Sequence, residues 1–538
     1  MRDFPVVQDT SGDPADTPET LAECVRRAAL AGPDRPALRW QDRTLTWSDV
    51  DARVDRVAAW LGSLDLPPSA GRPARVAVAL PNTPDFVAAF FGIMRAGLVA
   101  VPVNPGYTAR ELCHLLADSG AAVILGTPPV LENVEEVRAD LPDLRATYAD
   151  IPVVDGEPPA VTVTADDLAV LLYTSGTEGR PKGAMLSHRA LMANHWQLAE
   201  VEPPIVRADD IVLLALPLFH AYGLNSGLGA VAYHGACGVL VERFDPADSR
   251  DIIARHHVTT VLGVPSMFVA WSLLPDLGEA MASVRVAVSG AAPLDSATAA
   301  RFTEATRHPV FVGYGLTETA PVLASTLASP VPLVGSIGRA IPGVELRLVG
   351  PGGAVLFDEG GPRGDDSDGD DDDDFGFDVP GSPGTDPGEI VVRGDNLFSG
   401  YWPDGRDGPD ADGWWATGDV AYADADGALF LVDRLGDLIL VNGFNVYPRE
   451  VELVLVGHSG VADAAVLGVP HPYTGQSVKA YVVRSPGAEP TTEEVMQHCE
   501  RNLARFKCPT SIEFVGELPY SVTGKVRKSE LLKGEWGA

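Results

Sequence analysis

The stretch Tyr-Thr-Ser-Gly-Thr-Glu-Gly-Arg-Pro-Lys-Gly at residues 173–183 constrains this chain more than any other part of it. It follows an apolar run, Leu168–Leu172, that reads as a short buried strand. It precedes Ala184–Ala193, whose apolar spacing predicts a helix. A strand, a loop of small residues and a helix together wrap backbone N–H groups around phosphate oxygens. Gly176, Gly179 and Gly183 allow close approach or tight turning, Thr174, Ser175 and Thr177 offer hydroxyl donors, and Lys182 adds a cation. The spacing is not that of a Walker A loop, because no Ser or Thr follows Lys182.

Around this stretch the chain alternates strands with helices. Leu21–Ala31 carries a helical pattern, Ala37–Trp47 reads as two short strands about a polar turn, and Ser48–Leu61 predicts a helix with Ser48 as its N-cap. Arg75–Leu80, Val99–Pro105 and Ala122–Leu125 are apolar strands, separated by helices over Thr83–Ala96 and Thr108–Gly120. This rhythm predicts an α/β fold of largely parallel, doubly wound sheets, and a second αβ layer continues it from about Ala165 to Ser329. The texture then changes. Val334–Val349 and Gly388–Val392 are short strands with Gly/Pro turns, as in a small β-barrel. From about Asp437, strands at Ala464–Val469 and Lys479–Val483 and a helix at Thr492–Leu503 predict a small, separate α+β unit.

Length and composition narrow the class. A chain of 538 residues suggests about three or four domain-sized units. It has no run of about 18 apolar residues, so no membrane span is expected. Met1–Asp9 lacks a basic segment followed by an apolar core, and residues 1–20 read as a loose arm. The five cysteines lie far apart without CxxC spacing, which points to reduced thiols in a cytoplasmic setting. A net charge of −34 argues against nucleic-acid binding driven by charge. One insertion, about 358–388, is of low complexity, and its Asp run at 365–374 should repel itself and stay disordered. Asp366, Asp368 and Asp370 have the initial spacing of a calcium loop, but Asp371 and Phe377 stand where that loop needs Gly and Glu.

Downstream of the opening stretch, a series of motifs falls in a fixed order. They are Pro217–Leu224 (PLFHAYGL), Ser289–Leu294 (SGAAPL), Val312–Pro321 (VGYGLTETAP), Gly413–Ala421 (GWWATGDVA), Asp433–Asp437 (DRLGD), Val441–Glu452 (VNGFNVYPREVE) and, within Pro519–Leu531, SVTGKVRK. Together with residues 173–183 they resemble the adenylate-forming (ANL) superfamily, nearest to fatty acyl-CoA synthetases and 4-coumarate–CoA-ligase-like enzymes. That resemblance implies a large N-terminal adenylation domain over 1–433, a hinge at 434–437 with Gly436, and a mobile C-terminal lid over 438–538. For ATP it implies the loop residues Thr174, Ser175, Gly176, Thr177, Gly179 and Lys182, then Ala291, Ala292 and Pro293 beside the base. Tyr314 would stack on adenine, with Gly315 and Thr317 near the nucleotide; Asp419 would bind the ribose hydroxyls, and Arg434 the ribose or phosphate. Glu318 would hold Mg2+, which takes hard oxygen ligands. His220, Tyr222, Gly313 and Gly315 fall at the acid pocket, although a histidine among apolar residues, taken alone, is more often a core group than a catalyst. Gly443 would line the CoA tunnel, and Lys525 matches the catalytic lysine, acting with Lys182, Thr317 and Glu318.

The implied chemistry has two halves. ATP converts a carboxylate, of aryl, cinnamoyl or fatty type, into an acyl-AMP with release of pyrophosphate. CoA then takes the acyl group after the lid rotates. Acceptors other than CoA stay open: nitrite for diazotisation of an aryl amine, an amine, or a carrier protein. A homodimer is compatible with the family. Three positions depart from the usual pattern: Gly436 at the hinge, Glu178 in the loop and Gln476. Removing residues 364–376 should leave acid-dependent ATP–pyrophosphate exchange within about twofold of the intact chain, as a solvated insertion requires. A large loss of turnover would show that the acidic tract takes part.

Overall fold

The structure, a computed structural model, describes residues 20–68, 71–154, 156–174, 181–329, 333, 335–358, 361–362, 384–434, 437–441, 444–471, 475–520 and 526–531. The first sheet has six strands in the order Ala146–Tyr148, Ala121–Gly126, Arg75–Ala79, Val99–Pro102, Leu168–Thr174 and Lys182–Ser187. All neighbours are parallel except the last pair, which is antiparallel. The second sheet has nine strands, with Thr260–Gly263, Val286–Ser289 and Val310–Gly315 running parallel at its centre. The N-terminal hairpin Pro36–Trp40/Arg43–Thr46 closes the far edge of this second sheet, beside Cys237–Leu240.

Helices Leu21–Ala31, Trp47–Ser63, Pro84–Arg95 and His188–Ala199 share one apolar core with both sheets. Phe86, Phe90, Phe91 and Trp60 are buried there beside Val76 and Val78 of the first sheet and Leu213 and Val239 of the second. Each helix starts at a polar cap. Thr20 and Thr46 form reciprocal caps with Glu23 and Asp49, and Thr83 accepts from the Phe86 N–H. The expected cap Ser48 is thus displaced two residues, to Thr46, because Asp49 pairs with that threonine.

A second correction touches the site. Ala184–Ser187 is strand, and the helix begins at His188, capped by the Ser187 hydroxyl. The residues 184–187 are buried on both faces, so their apolar run mimics the start of a buried helix. The loop therefore joins two strands of a hairpin, and the helix N-terminus is not part of it.

The β unit expected after residue 334 is a six-stranded antiparallel sheet running from Gly361–Pro362 through Glu345–Val349 to Leu429–Arg434. Of the acidic insertion expected over about 358–388, residues 359–360 and 363–383 lie outside the described residues, and 361–362 form a short strand. Its ends are ordered: Asp358 closes a strand, and the Thr385 N–H reaches the Ala423 carbonyl at 2.8 Å. The last sheet, with Val461–His471 and Gly475–Arg484 as its long pair, has its own core of Val446, Val451, Val466, Val478, Val482 and Val495. No described helix is long and apolar enough to cross a membrane.

Two histidines of the shared core are held neutral by burial, His188 at a pKa of about 4 and His195 at about 3, against an ordinary 6.5. Between those limits the unfolded chain binds the protons and the folded chain does not. Their contribution is complete above pH 6.5 and is lost as pH falls toward about 4 and 3. Stability in denaturant titrations should thus decline from about pH 6.5 to 5, by up to ~1.4 kcal/mol per pH unit per histidine. A flat profile over that interval would contradict it.

Candidate functional site

Four strand ends, a neighbouring strand, a π-helical segment and one turn build the site. Thr174 ends one hairpin strand and Lys182 begins the other, and the two face each other across the ladder. The Lys182 ammonium lies 5.3 Å from the centre of the Tyr401 ring and 3.6 Å from the exposed Asp407 carboxylate. About a third of its side chain is exposed, so an incoming phosphate can reach it.

In the second sheet, Ser289 ends one central strand and the chain turns through Gly290, Ala291, Ala292 and Pro293, with Ala291 at φ +67°. On the neighbouring strand end, Gly313, Tyr314 and Gly315 follow one another. At Gly315 a Cβ would sit 1.7 Å from the Pro321 carbonyl, so no side chain fits. At Gly313 a Cβ would meet Val288 Cγ1 at 3.7 Å, an ordinary contact, so a small side chain would fit there. The Tyr314 hydroxyl donates to Asp419 Oδ2 at 2.7 Å, joining the residues expected at adenine and ribose in one buried contact. Asp419 lies on Trp415–Ala423, directly across the ladder from Arg434 on Leu429–Arg434.

Tyr222 approaches from a π-helical segment, Tyr222–Gly229, whose widened turn is a frequent feature of functional sites. Its hydroxyl donates to the Val288 carbonyl at 3.1 Å, and burial pushes the phenol far above its ordinary pKa. The ring lies against Gly290, where a Cβ would come within 2.9 Å of Cε1. His220, just before, tilts against Phe219 with centroids 4.8 Å apart. Its backbone carbonyl receives the Leu224 N–H at 2.8 Å.

Thr317 and Glu318 sit on a 3-10 turn, Thr317–Thr319, followed by a cis Ala320–Pro321 bond. Glu318 is buried, and its Oε1 accepts the Tyr401 hydroxyl at 2.6 Å. Buried amides fasten this turn. Asn225 Nδ2 donates to the Ala320 carbonyl at 2.7 Å, Asn396 Nδ2 to the Thr319 carbonyl at 2.8 Å, and Asn194 Nδ2 to the Val322 carbonyl at 2.9 Å. Neutral His195 bonds Asn225 Oδ1 through Nε2 at 3.0 Å, which aims the Asn225 amide at the turn. Sequence reasoning missed Tyr401 and these amides. A lone Asn in the apolar run Gly223–Gly229 was a usable signal, since a buried amide must find partners; Tyr401 carried none.

The structure thus gathers Lys182, Glu318, Tyr314, Asp419 and Tyr222 around the strand ends and the 317–319 turn. Ser175, Gly176, Thr177, Glu178, Gly179, Gly436, Gly443 and Lys525 lie outside the described residues. Gln476 is on the strand Gly475–Arg484, opposite Pro470. Among the described residues no cluster of three or more His, Cys, Asp or Glu could hold a metal by itself.

The sheets and the order of the motifs they carry are those of an adenylate-forming enzyme. The chain belongs to the AMP-binding enzyme family, whose profile matches residues 25–402, with the family's C-terminal domain matching 450–525. It is an AMP-forming acid–thiol ligase. A feruloyl-CoA synthase from Amycolatopsis sp is 37% identical over 516 residues, 94% of this chain and 97% of that protein. A long-chain-fatty-acid–CoA ligase from Salmonella typhimurium is 33% identical, covering 96% of each chain. ATP-bound MatB from Rhodopseudomonas palustris superposes with a TM-score of 0.81 at 30% identity, over 95% of this chain and 98% of its own. The anthranilate CoA ligase AuaEII with anthranoyl-AMP gives 0.80 at 26% identity, over 97% and 99%.

Replacing Tyr314 by Phe keeps the ring and removes the hydroxyl that donates to Asp419. A hydrogen bond to a charged group contributes about 1.5–3 kcal/mol, so ATP affinity should fall about tenfold, with turnover at saturating ATP nearly unchanged. Calorimetric titration with ATP checks this, and an unchanged affinity would mean that the bond does not order Asp419.

Proposed function

We propose that this enzyme activates an aromatic, hydroxycinnamate-type acid with ATP and passes it to CoA. One observation carries the acid class. Tyr222 is fixed at its hydroxyl end, with the hydroxyl on the Val288 carbonyl and the ring edge against Gly290, and so presents a held aromatic wall at the strand end that carries Ser289 and Gly290. Such a wall suits a planar acid by offset or edge contact. Relatives point the same way: the feruloyl-CoA synthase at 37% identity, and a 4-coumarate–CoA ligase from rice at 34% over 91% of this chain. Fatty acids are the second reading, supported by the long-chain ligase at 33%. All three of these relatives are named as CoA synthases or ligases, which disfavours nitrite or a carrier protein as acceptor.

In the first half-reaction a carboxylate oxygen attacks the α-phosphorus of ATP, a C–O–P bond forms, and pyrophosphate leaves. Lys182 and the hydroxyls of the loop offset charge on the phosphates, while Asp419 and Tyr314 hold the nucleoside. Lys525 joins from the C-terminal part and stabilises the charge building on the α-phosphate. A hard-oxygen donor set, Glu318 with the Thr317 hydroxyl and the substrate's phosphates, fits Mg2+, which is commonly held by one carboxylate plus phosphate oxygens. That ion would supply further charge neutralisation to the phosphates. In the second half-reaction the CoA thiol attacks the acyl carbon and AMP departs. No side-chain nucleophile is required.

Product mass after incubation with ATP, Mg2+, CoA and a panel of hydroxycinnamic, benzoic and fatty acids tests the reading. A hydroxycinnamoyl thioester is expected, with turnover exceeding that of fatty acids. Thioesters of fatty acids alone would overturn the acid class, and a product with nitrite but none with CoA would overturn the acceptor. In the same assay Lys525→Ala should lower acyl-AMP formation about 10²–10³-fold, the scale for loss of one transition-state donor. Unchanged adenylation would remove Lys525 from the mechanism.

A further inference from the structure

We propose that Tyr401 is a positioning residue that couples Lys182 to Glu318, setting the phosphate-binding cation and the metal-binding carboxylate at a fixed separation. The inference rests on the roles proposed above for those two residues. Tyr401 touches both with different parts of one side chain. Its hydroxyl donates to Glu318 Oε1 at 2.6 Å, and its ring lies 5.3 Å from the Lys182 ammonium.

The backbone around Tyr401 explains why the contacts are rigid. Ser399 N donates to the Met185 carbonyl at 2.9 Å, Met185 N to Gly400 at 3.1 Å, and Trp402 N to Gly183 at 2.8 Å. The segment is thus zipped along the outer edge of the strand that carries Lys182. Just before it, Phe398 N donates to the Glu318 carbonyl at 2.8 Å, and Asn396 holds Thr319. One stretch of seven residues, 396–402, therefore grips the hairpin and the 317–319 turn at once. Trp402 anchors its far end: its indole N–H donates to the Asp118 carbonyl at 2.9 Å, and the buried Arg75 guanidinium stacks 4.9 Å above its ring. Phe398 packs edge-on against the Tyr401 ring, with centroids 5.0 Å apart, and fixes its plane.

The chemical consequence is selective. A glutamate side chain has three rotatable bonds, and ordering it at the moment of binding costs affinity. By occupying one carboxylate oxygen, the phenol pre-orders Glu318 and leaves the other oxygen for a cation. The ring meanwhile confines the long Lys182 side chain near the phosphate loop. The hydroxyl thus serves Mg2+ and the ring serves ATP, and two substitutions separate them.

ATP binding to the full-length protein, measured by calorimetry without acid, in excess Mg2+ and in EDTA, reads the two roles. With Tyr401→Phe, affinity in EDTA should equal that of the unaltered protein. Affinity for Mg2+·ATP should fall about five- to tenfold, with a matching rise in the Mg2+ concentration for half-maximal binding. Tyr401→Leu should weaken binding in both conditions. A Phe variant that matches the unaltered protein in both arms, or loses equally in both, overturns the coupling, because a purely structural bond has no reason to discriminate. If the unaltered protein itself binds ATP no better with Mg2+ than in EDTA, the assignment of Glu318 to the metal fails, and the inference with it. Unaltered protein that gains from Mg2+ beside an indifferent Phe variant refutes Tyr401 alone.

Discussion

The amide bonds to the turn at residues 316–322 are the constraint on which the site depends. This turn contains a left-handed residue, Ala320 at φ +58°, and follows Gly315, where no Cβ fits, so its own local preferences do not hold it. Asn194, Asn225 and Asn396 arrive from three separate elements and satisfy its carbonyls in a buried setting, where an unmade bond would cost about 1–3 kcal/mol. The neutral state of His195 belongs to the same arrangement, since its ring N–H orients one of those amides. Polar groups within the core thus specify where the acidic residue of the site stands, and the apolar residues around them supply the bulk of the burial.

The alternation of strands and helices was legible because parallel strands buried on both faces leave continuous apolar runs, and the helices between them carry threonine caps. Leu21–Ala31 and the helices near 84–95 and 109–119 follow from that pattern almost residue for residue. The same property caused the error at 184–187, where a strand covered on both faces imitates a helix. Sheet membership was illegible. Nothing in Pro36–Thr46 indicates that this hairpin pairs with Cys237–Leu240, some two hundred residues later, rather than with the strands that follow it. Long-range pairing is settled by which edge remains open once the helices have packed.

At the site, the motif residues were visible because each carries unusual chemistry within a short window. Residues that act through others were not. Tyr401 lies more than eighty positions from Glu318, and only the closed fold shows that the two meet. Asn396 and Asn194 likewise look like ordinary polar positions until the carbonyls they serve are known. A local window reveals the groups that would touch substrate and conceals the framework that aims them.

The hairpin has a consequence for how such a chain can change over time. Its ladder runs unbroken from Leu168–Ser187 to Thr174–Lys182, apart from one irregularity at its base. The segment between Thr174 and Lys182 is therefore an insertion between two residues already held in register by their neighbours. A change in its length need not ask the sheet to re-pair. The phosphate contacts proposed for the loop can thus be altered separately from the packing of the sheet, while Thr174 and Lys182 stay in place at the strand ends.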